Sequence, residues 1–534
     1  MPPPRRRGRK VLAVFLVFIG LWVLLGMVGD LRRVWVSEEN RAAYSTFDIL
    51  IRDGYIVDGT GRPGYVADIG IRGDRIAEIG DLSLREGEVT INASGLVVAP
   101  GFINPHSHSD RTILQSPHAE SALRQGVTTE IIGTDGKSPL SVSEHLNRVA
   151  AVRPAVNYAM LIGQGTVRAA VMGSGPGRAS EAQLERMEEL VRKAMEEGAV
   201  GLSSGLEYVP GKYTTTEELV RLVRVLTPYQ AVYSTHIRNE RVRILAAVDE
   251  ALSIAREAQV PLNISHIKVA RTPSWPARED VLVDLTHQVI ARIQAARRQG
   301  QEVYADFYPY GAPWFLIERG LSEMYGRYPS RIIYILRCAD RSAEGKSLTQ
   351  LAAERGVSVA KVVQELRAHG EPVQVYVKTL SEQSMAEFLK QDFTLVGTDA
   401  PAVSSDPGYS LEERLHPRAF GTYPKIIRKY VREENLLTLE EAIHKMTLGA
   451  AQLYQLKGRG MIATGYYADL TIFNPAVVRE KTTYHDPARY PEGIEYVLVN
   501  GQVAVSGGEL QKVRDSGGKV TTVRNGRVLL RGRF

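Results

Sequence analysis

His106 and His108, in NPHSHSD, stand two residues apart directly after an apolar run at 97–105. In a strand, residues i and i+2 share a face, so both imidazoles can be aimed at one atom. The pair alone is weak evidence: 11 histidines in 534 residues give about 0.2 His-x-His pairs by chance. Other candidates strengthen it, because each ends an apolar run. Asp135 ends EIIGTD, Glu207 follows GLSSGL, His236 ends AVYSTH, His266 ends PLNISH, and Asp399 ends FTLVGTD. Four imidazoles with carboxylates suit zinc or a similar divalent ion. Such an ion lowers the pKa of bound water toward 7 and polarises a carbonyl, and a neighbouring carboxylate can carry the proton to a leaving nitrogen. Asp399 is the residue assigned that task. Taken singly, each carboxylate could instead cap a helix or pair at a rim.

These residues meet only if the runs that precede them are parallel strands of one barrel. Strand candidates lie at 97–105, 128–133, 156–163, 199–204, 231–236, 261–266, 302–307 and 393–399. Eight is the number a closed (β/α)8 barrel needs, and the carboxyl ends of its strands share one face. Helices are expected between them. In 181–198 the apolar residues Leu184, Met187, Leu190, Val191, Ala194 and Met195 fall at 3- and 4-residue spacing, and 440–454 reads similarly. A stretch at about 309–392 is too long for a simple connection and is expected as an insertion over the barrel mouth. Both ends of the soluble chain alternate apolar and polar residues between Asp-Gly, Gly-Asp and Asn-Gly turns, as hairpins do. They are expected to form one small β-sandwich, two separate sheets being the alternative. The expected division is a tail, membrane anchor and linker over 1–45, sheet over 46–100, barrel over 101–455 and sheet again over 456–534.

Composition narrows the class. The chain is 44% hydrophobic and 24% charged, which excludes disordered and collagenous classes. Its single cysteine, Cys338, excludes an intrachain disulfide. Of the formal charge of +6, five belong to Arg5, Arg6, Arg7, Arg9 and Lys10, which leaves +1 for the rest. No nucleic-acid partner is expected from so local a basic patch. The charge-free run Val11–Gly29 follows it. Nineteen residues of helix just cross a bilayer core of about 30 Å, and the preceding positive charges would keep the N-terminus cytoplasmic. The expectation is a single-pass membrane protein with an extracytoplasmic catalytic domain; a cleaved signal peptide is the alternative.

PGFINPHSHSD, GLSSGLEYVPG, STHIRNE, ISHIK, VGTDA, HPRAFGTYP and ADLTIFNP together resemble the amidohydrolase superfamily, and within it the D-aminoacylase (N-acyl-D-amino-acid deacylase) group. The resemblance implies a (β/α)8 metallohydrolase barrel with a small β-sandwich. It implies one or two metal ions, zinc first, on His106, His108, His236 and His266, with Asp399 as catalytic acid/base. It implies a small-molecule N-acylated D-amino acid as substrate, its free carboxylate held by Tyr208, Lys268 and Arg418. One departure stands out. Where many of the group carry a metal-binding cysteine in a G-N-C-G-x-S turn, this chain reads GTDGKS with Asp135 in that place. The ligand set is expected to be richer in oxygen, with Glu207 or Asp135 bridging, and more tolerant of Mn, Co or Mg. A dipeptidase or cyclic-amide hydrolase of the same superfamily, and a catalytically silent binding protein, are the alternatives. Side-chain preference, acyl length and oligomeric state are left open.

Overall fold

The computed structural model describes residues 45–272, 275, 277–313, 319–368, 373–405, 416–514 and 520–532. Its centre is a ring of eight strands: β1 (Phe102–Asn104), β2 (Val127–Ile132), β3 (Asn157–Gly163), β4 (Gly201–Gly205), β5 (Val232–His236), β6 (Leu262–Ile264), β7 (Val303–Phe307) and β8 (Thr394–Val396). Each pairs in parallel with the next. Closure between β8 and β1 is made just past the strands, where the Asp399 amide donates to the His106 carbonyl at 3.0 Å and Ser107 bridges Ala400. All eight strand candidates are thus found in order.

The strands run as continuous apolar segments because both faces are covered. One large cluster joins Phe102, Ile132, Met160, Ile162, Leu202, Leu262 and Phe307 to the surrounding helices. The helix Glu181–Glu196 starts at a Ser180–Gln183 capping box and buries Met187, Val191, Ala194 and Met195 against the barrel. Glu440–Tyr454 is split: Thr438 caps Leu439–Met446, and Leu448–Leu453 follows as a second short helix.

Strands from both chain ends meet in one nine-stranded sheet. Val97–Pro100 pairs in parallel with Ser45–Ile56 and antiparallel with Leu470–Phe473, so the two ends are interleaved. A buried ion pair fastens this sheet to the barrel. Arg459 donates to Asp469, whose carboxylate also accepts from Asn157 in β3 at 3.2 Å and from the Asn500 amide at 2.7 Å. Breaking such a pair leaves a buried charge unmatched. Asp469→Ala should therefore cost about 3–5 kcal/mol, read by scanning calorimetry as a lowered Tm; an unchanged Tm would remove the seam from the account.

Within 309–392, Arg319–Gly320, Gln374–Val377 and Ile333–Arg337 form a small sheet, with Leu348–Arg355 and Val359–Ala368 packed around it. It has its own core of Leu321, Ile333, Ile335, Leu348, Leu351, Val362 and Val375. Tyr484 and His485, from far along the chain, hold its neck: the Tyr484 hydroxyl accepts from the Ala312 amide and His485 Nδ1 meets the Leu336 carbonyl.

The membrane helix expected at Val11–Gly29 lies outside the described residues. Among the described residues no helix is long and apolar enough to cross a membrane. Glu279–Arg298 has the length, with 20 residues, but carries Glu279, Asp280, Asp284, Arg292, Arg297 and Arg298, and only one face is apolar. This corrects the fold class to a near-closed parallel barrel with its attached sheet, in which no helix among the described residues crosses a membrane. The expected single-pass placement, cytoplasmic N-terminus and membrane partner are corrected with it, since no helix among the described residues supports them.

Candidate metal and active site

The residues singled out at the strand ends converge at one mouth of the barrel. Asp135, His266 and Asp399 have φ of 54°, 34° and 49°, the left-handed region that side chains seldom adopt. Each such residue costs on the order of 1–3 kcal/mol unless its surroundings impose it. The turn at Asp135 is possible because Gly136, with φ 72°, follows: a Cβ there would lie 2.6 Å from the Gly205 backbone nitrogen.

Two buried groups result. His106, His108, Asp135 and Asp399 offer ligand atoms all within 4.8 Å of one another, and so do Asp135, His236 and His266. Asp135 belongs to both. Its Oδ1 lies 3.5 Å from His106 Nε2 and 3.5 Å from His266 Nε2, and its Oδ2 lies 3.7 Å from His108 Nε2. His106 Nε2, Asp135 Oδ1 and His236 Nε2 are buried and have no hydrogen-bond partner. Unpaired buried polar atoms are costly, and His106 Nε2 and Asp135 Oδ1, 3.5 Å apart, are placed to share a divalent cation. The electrostatics agree. Burial alone would raise the Asp135 carboxyl, yet His106 and His266 hold it well below the usual range. Burial and Lys268 would lower His266, yet Asp135, Asp399 and Glu240 bring it to about 9. The cluster holds protons where a metal would replace them. The residues fit a metal centre of one or two ions.

Glu207 stands outside both groups. Its Oε1 accepts from Arg241 Nη1 at 2.7 Å, and Oε2 is 3.8 Å from His236 Nε2. Tyr208 is nearer, with its hydroxyl 3.3 Å from His236 Nδ1. Lys268 donates to Glu240 at 2.6 Å. Arg418 Nη1 donates to Asp399 Oδ2 at 2.5 Å, and Asp399 Oδ1 meets His108 Nε2 at 3.1 Å. Burial opposes ionisation of Asp399, but Arg418 and the histidines hold its carboxyl well below the ordinary value.

Three residues of this site were not singled out from sequence. Asp306, inside β7, takes His106 Nδ1 at 3.2 Å and the His266 backbone amide at 2.7 Å, and so aims the His106 ring and fixes the backbone at His266. Glu240 faces His266 Nδ1 at 2.9 Å and leaves its Nε2 toward Asp135. Tyr308 presents a buried hydroxyl with no partner; the Arg418 guanidinium lies 4.8 Å over its ring, and Arg418 Nε is also unpartnered. An acidic residue within a buried strand, as in EVYADF, was the available signal for Asp306. The mouth above these groups is a cavity of about 490 Å³ lined by the ligands, Tyr208, Lys268, Tyr308 and Arg418.

This geometry has relatives. The D-aminoacylase of Alcaligenes xylosoxydans xylosoxydans is 36% identical over 85% of this chain and 94% of its own length. A solved structure of D-aminoacylase, studied for the functional role of its binuclear metal center, covers 91% of this chain and 100% of its own at 32% identity, with a TM-score of 0.72. So does N-acyl-D-glutamate deacylase from Bordetella bronchiseptica, bound to zinc and a phosphonate mimic of the tetrahedral intermediate, at 29% identity and a TM-score of 0.72. The Amidohydrolase family model matches residues 89–307 and 343–505. With ligands of that kind converging at the mouth of such a barrel, this chain belongs to the amidohydrolase family.

Proposed function

We propose that this metal-dependent amide hydrolase cleaves N-acyl-D-amino acids to a carboxylate and a free D-amino acid. The observation that carries the reading is the pair of orphaned donors beside the ligand cluster. Arg418 Nε and the Tyr308 hydroxyl are buried, unpartnered and set against a cavity-lining ion pair. A guanidinium edge and a hydroxyl on residues lining one cavity fit a substrate carboxylate, and the Lys268 ammonium stands 5.7 Å over the same Tyr308 ring. The kinship with D-aminoacylase and N-acyl-D-glutamate deacylase supports the D configuration.

His106, His108, Asp135, His236 and His266 would hold the metal, with Asp135 shared between two positions. A divalent ion there, zinc as in the Bordetella bronchiseptica relative, acidifies water and polarises the amide carbonyl. Asp399 is ionised and 3.1 Å from His108, so it is ready to take a proton from the attacking water. It then returns that proton to the amide nitrogen as the C–N bond breaks, releasing a neutral amine. Arg418, gripping Oδ2, keeps Asp399 oriented while its free edge takes the substrate carboxylate. Tyr208, beside His236, lies where its hydroxyl can donate to the carbonyl oxygen.

The test compares N-acetyl-D-methionine, its L isomer and its C-terminal amide on metal-loaded protein. Hydrolysis of the D acid is expected, with the amide slower by about 100-fold because a buried donor pair is left empty. Arg418→Gln should raise KM for the acid by about 10–100-fold and hardly alter KM for the amide. Faster turnover of dipeptides or cyclic amides than of any N-acyl-D-amino acid would displace the proposal.

A further inference from the structure

Arg418 and Tyr308, the two donors placed at the substrate carboxylate, come from different parts of the chain. Tyr308 follows β7, and Arg418 opens the helix Arg418–Lys425 beyond β8. Asp399 holds one edge of the guanidinium, so the position of the Arg418 backbone decides where the free edge falls. His416, which lines the same cavity, joins the two segments. Its Nδ1 accepts from the Arg418 backbone amide at 3.1 Å, and its Nε2 lies 2.8 Å from the Ala312 carbonyl. Because Nδ1 accepts, the ring proton sits on Nε2 and donates to Ala312, so one neutral tautomer makes both bonds. Burial and the Arg418 charge favour that neutral form, holding the imidazole well below its ordinary range.

Both ends of this link are fixed. The first amides of a helix need acceptors from outside it, and Pro417 gives no side-chain cap; His416 Nδ1 supplies the acceptor for Arg418. At the other end the Ala312 peptide is held twice, its carbonyl by His416 and its amide by the Tyr484 hydroxyl at 2.9 Å. Ala312 lies four residues past Tyr308, across a turn in which the Tyr310 amide donates to the Tyr308 carbonyl at 3.0 Å. The imidazole is itself caged. Tyr308, Tyr310 and Tyr484 meet it at centroid distances of 6.4, 5.7 and 5.5 Å, with ring planes 74–89° apart, the edge-to-face arrangement aromatic pairs prefer. We infer that His416 is a positioning residue, a strut that sets the gap between Arg418 and the segment carrying Tyr308, and with it the grip on the substrate carboxylate. The inference rests on the deacylase reading for the placement of that carboxylate.

The experiment cuts the strut at one end or the other in the full metal-loaded chain. Asparagine puts an oxygen where Nδ1 stands but falls short of Ala312; glutamine puts an amide nitrogen where Nε2 stands but offers Arg418 no acceptor. A strut fails whichever end is cut. His416→Asn and His416→Gln should therefore each raise KM for N-acetyl-D-methionine by about tenfold, as loss of a buried hydrogen bond does, with kcat little changed. KM for the C-terminal amide, which has no carboxylate to place, should stay as in the parent. Added to Arg418→Gln, His416→Gln should raise KM for the acid no further, because coupled residues do not add. A merely structural role would weaken acid and amide alike, and that result would overturn the inference. So would additive effects in the double variant, or failure of both single variants to fold. If the parent hydrolyses neither compound, the deacylase reading fails by itself, and calorimetric binding of the acid and the amide to the same variants then decides the role of His416.

Discussion

Replacing Asp399 by asparagine is expected to lower kcat about 10³-fold, within the range for loss of a general acid/base. Asparagine keeps the shape and one oxygen, so His108 Nε2 and Arg418 Nη1 retain a partner each. It loses the negative charge and the ability to take a proton. Asp399 also belongs to the first group of potential ligands, so metal content has to be measured on the same sample. Metal retained with kcat collapsed identifies the proton carrier, because His106, His108 and Asp135 still hold the ion. Metal lost in proportion to activity identifies a ligand instead. Retention of most of the turnover with full metal would reject both roles. The sign of the pH dependence follows from the depressed carboxyl: Asp399 is ionised throughout the neutral range, so its protonation sets no acidic limb there.

Much of this site was legible because barrel chemistry sits where strands stop. Six of the eight apolar runs ended in a residue able to bind a metal, and the order of the runs fixed how those residues meet. Local pattern says nothing of depth or of facing partners, and there the sequence was silent. Asp306 lies within an apolar strand, and only the ring brings it to His106. Glu240 follows His236 by four residues but turns to a histidine on the next strand. Glu207 and Asp135 were equal candidates for a bridge, since both follow strands; what separates them is Arg241, which holds Glu207 away from the groups at 2.7 Å. The membrane expectation rested on one apolar stretch, its length and the positive charges before it, and no helix among the described residues supports it.

Asp135→Ala is expected to reduce bound metal from as many as two ions per chain to below about 0.2 after metal-free purification, and activity with it. The reasoning is one of shared contacts. Asp135 is the only residue common to both ligand groups, and its depressed carboxyl is the negative charge around which His106 and His266 are arranged. Removing it withdraws a ligand from each position and leaves neutral imidazoles in a buried site. His236→Ala, by contrast, touches one group and should leave one ion bound. Glu207→Ala touches neither and should leave the content unchanged while freeing Arg241. Elemental analysis of the three variants therefore ranks them in a fixed order, Asp135 most severe, then His236, then Glu207. An order in which Glu207→Ala empties the site and Asp135→Ala does not would move the bridge to Glu207, and would mean that its carboxylate leaves Arg241 when metal enters. Asp135→Cys separates charge from hardness: a thiolate in the same left-handed turn should restore zinc but not manganese, whereas the parent carboxylate should take both.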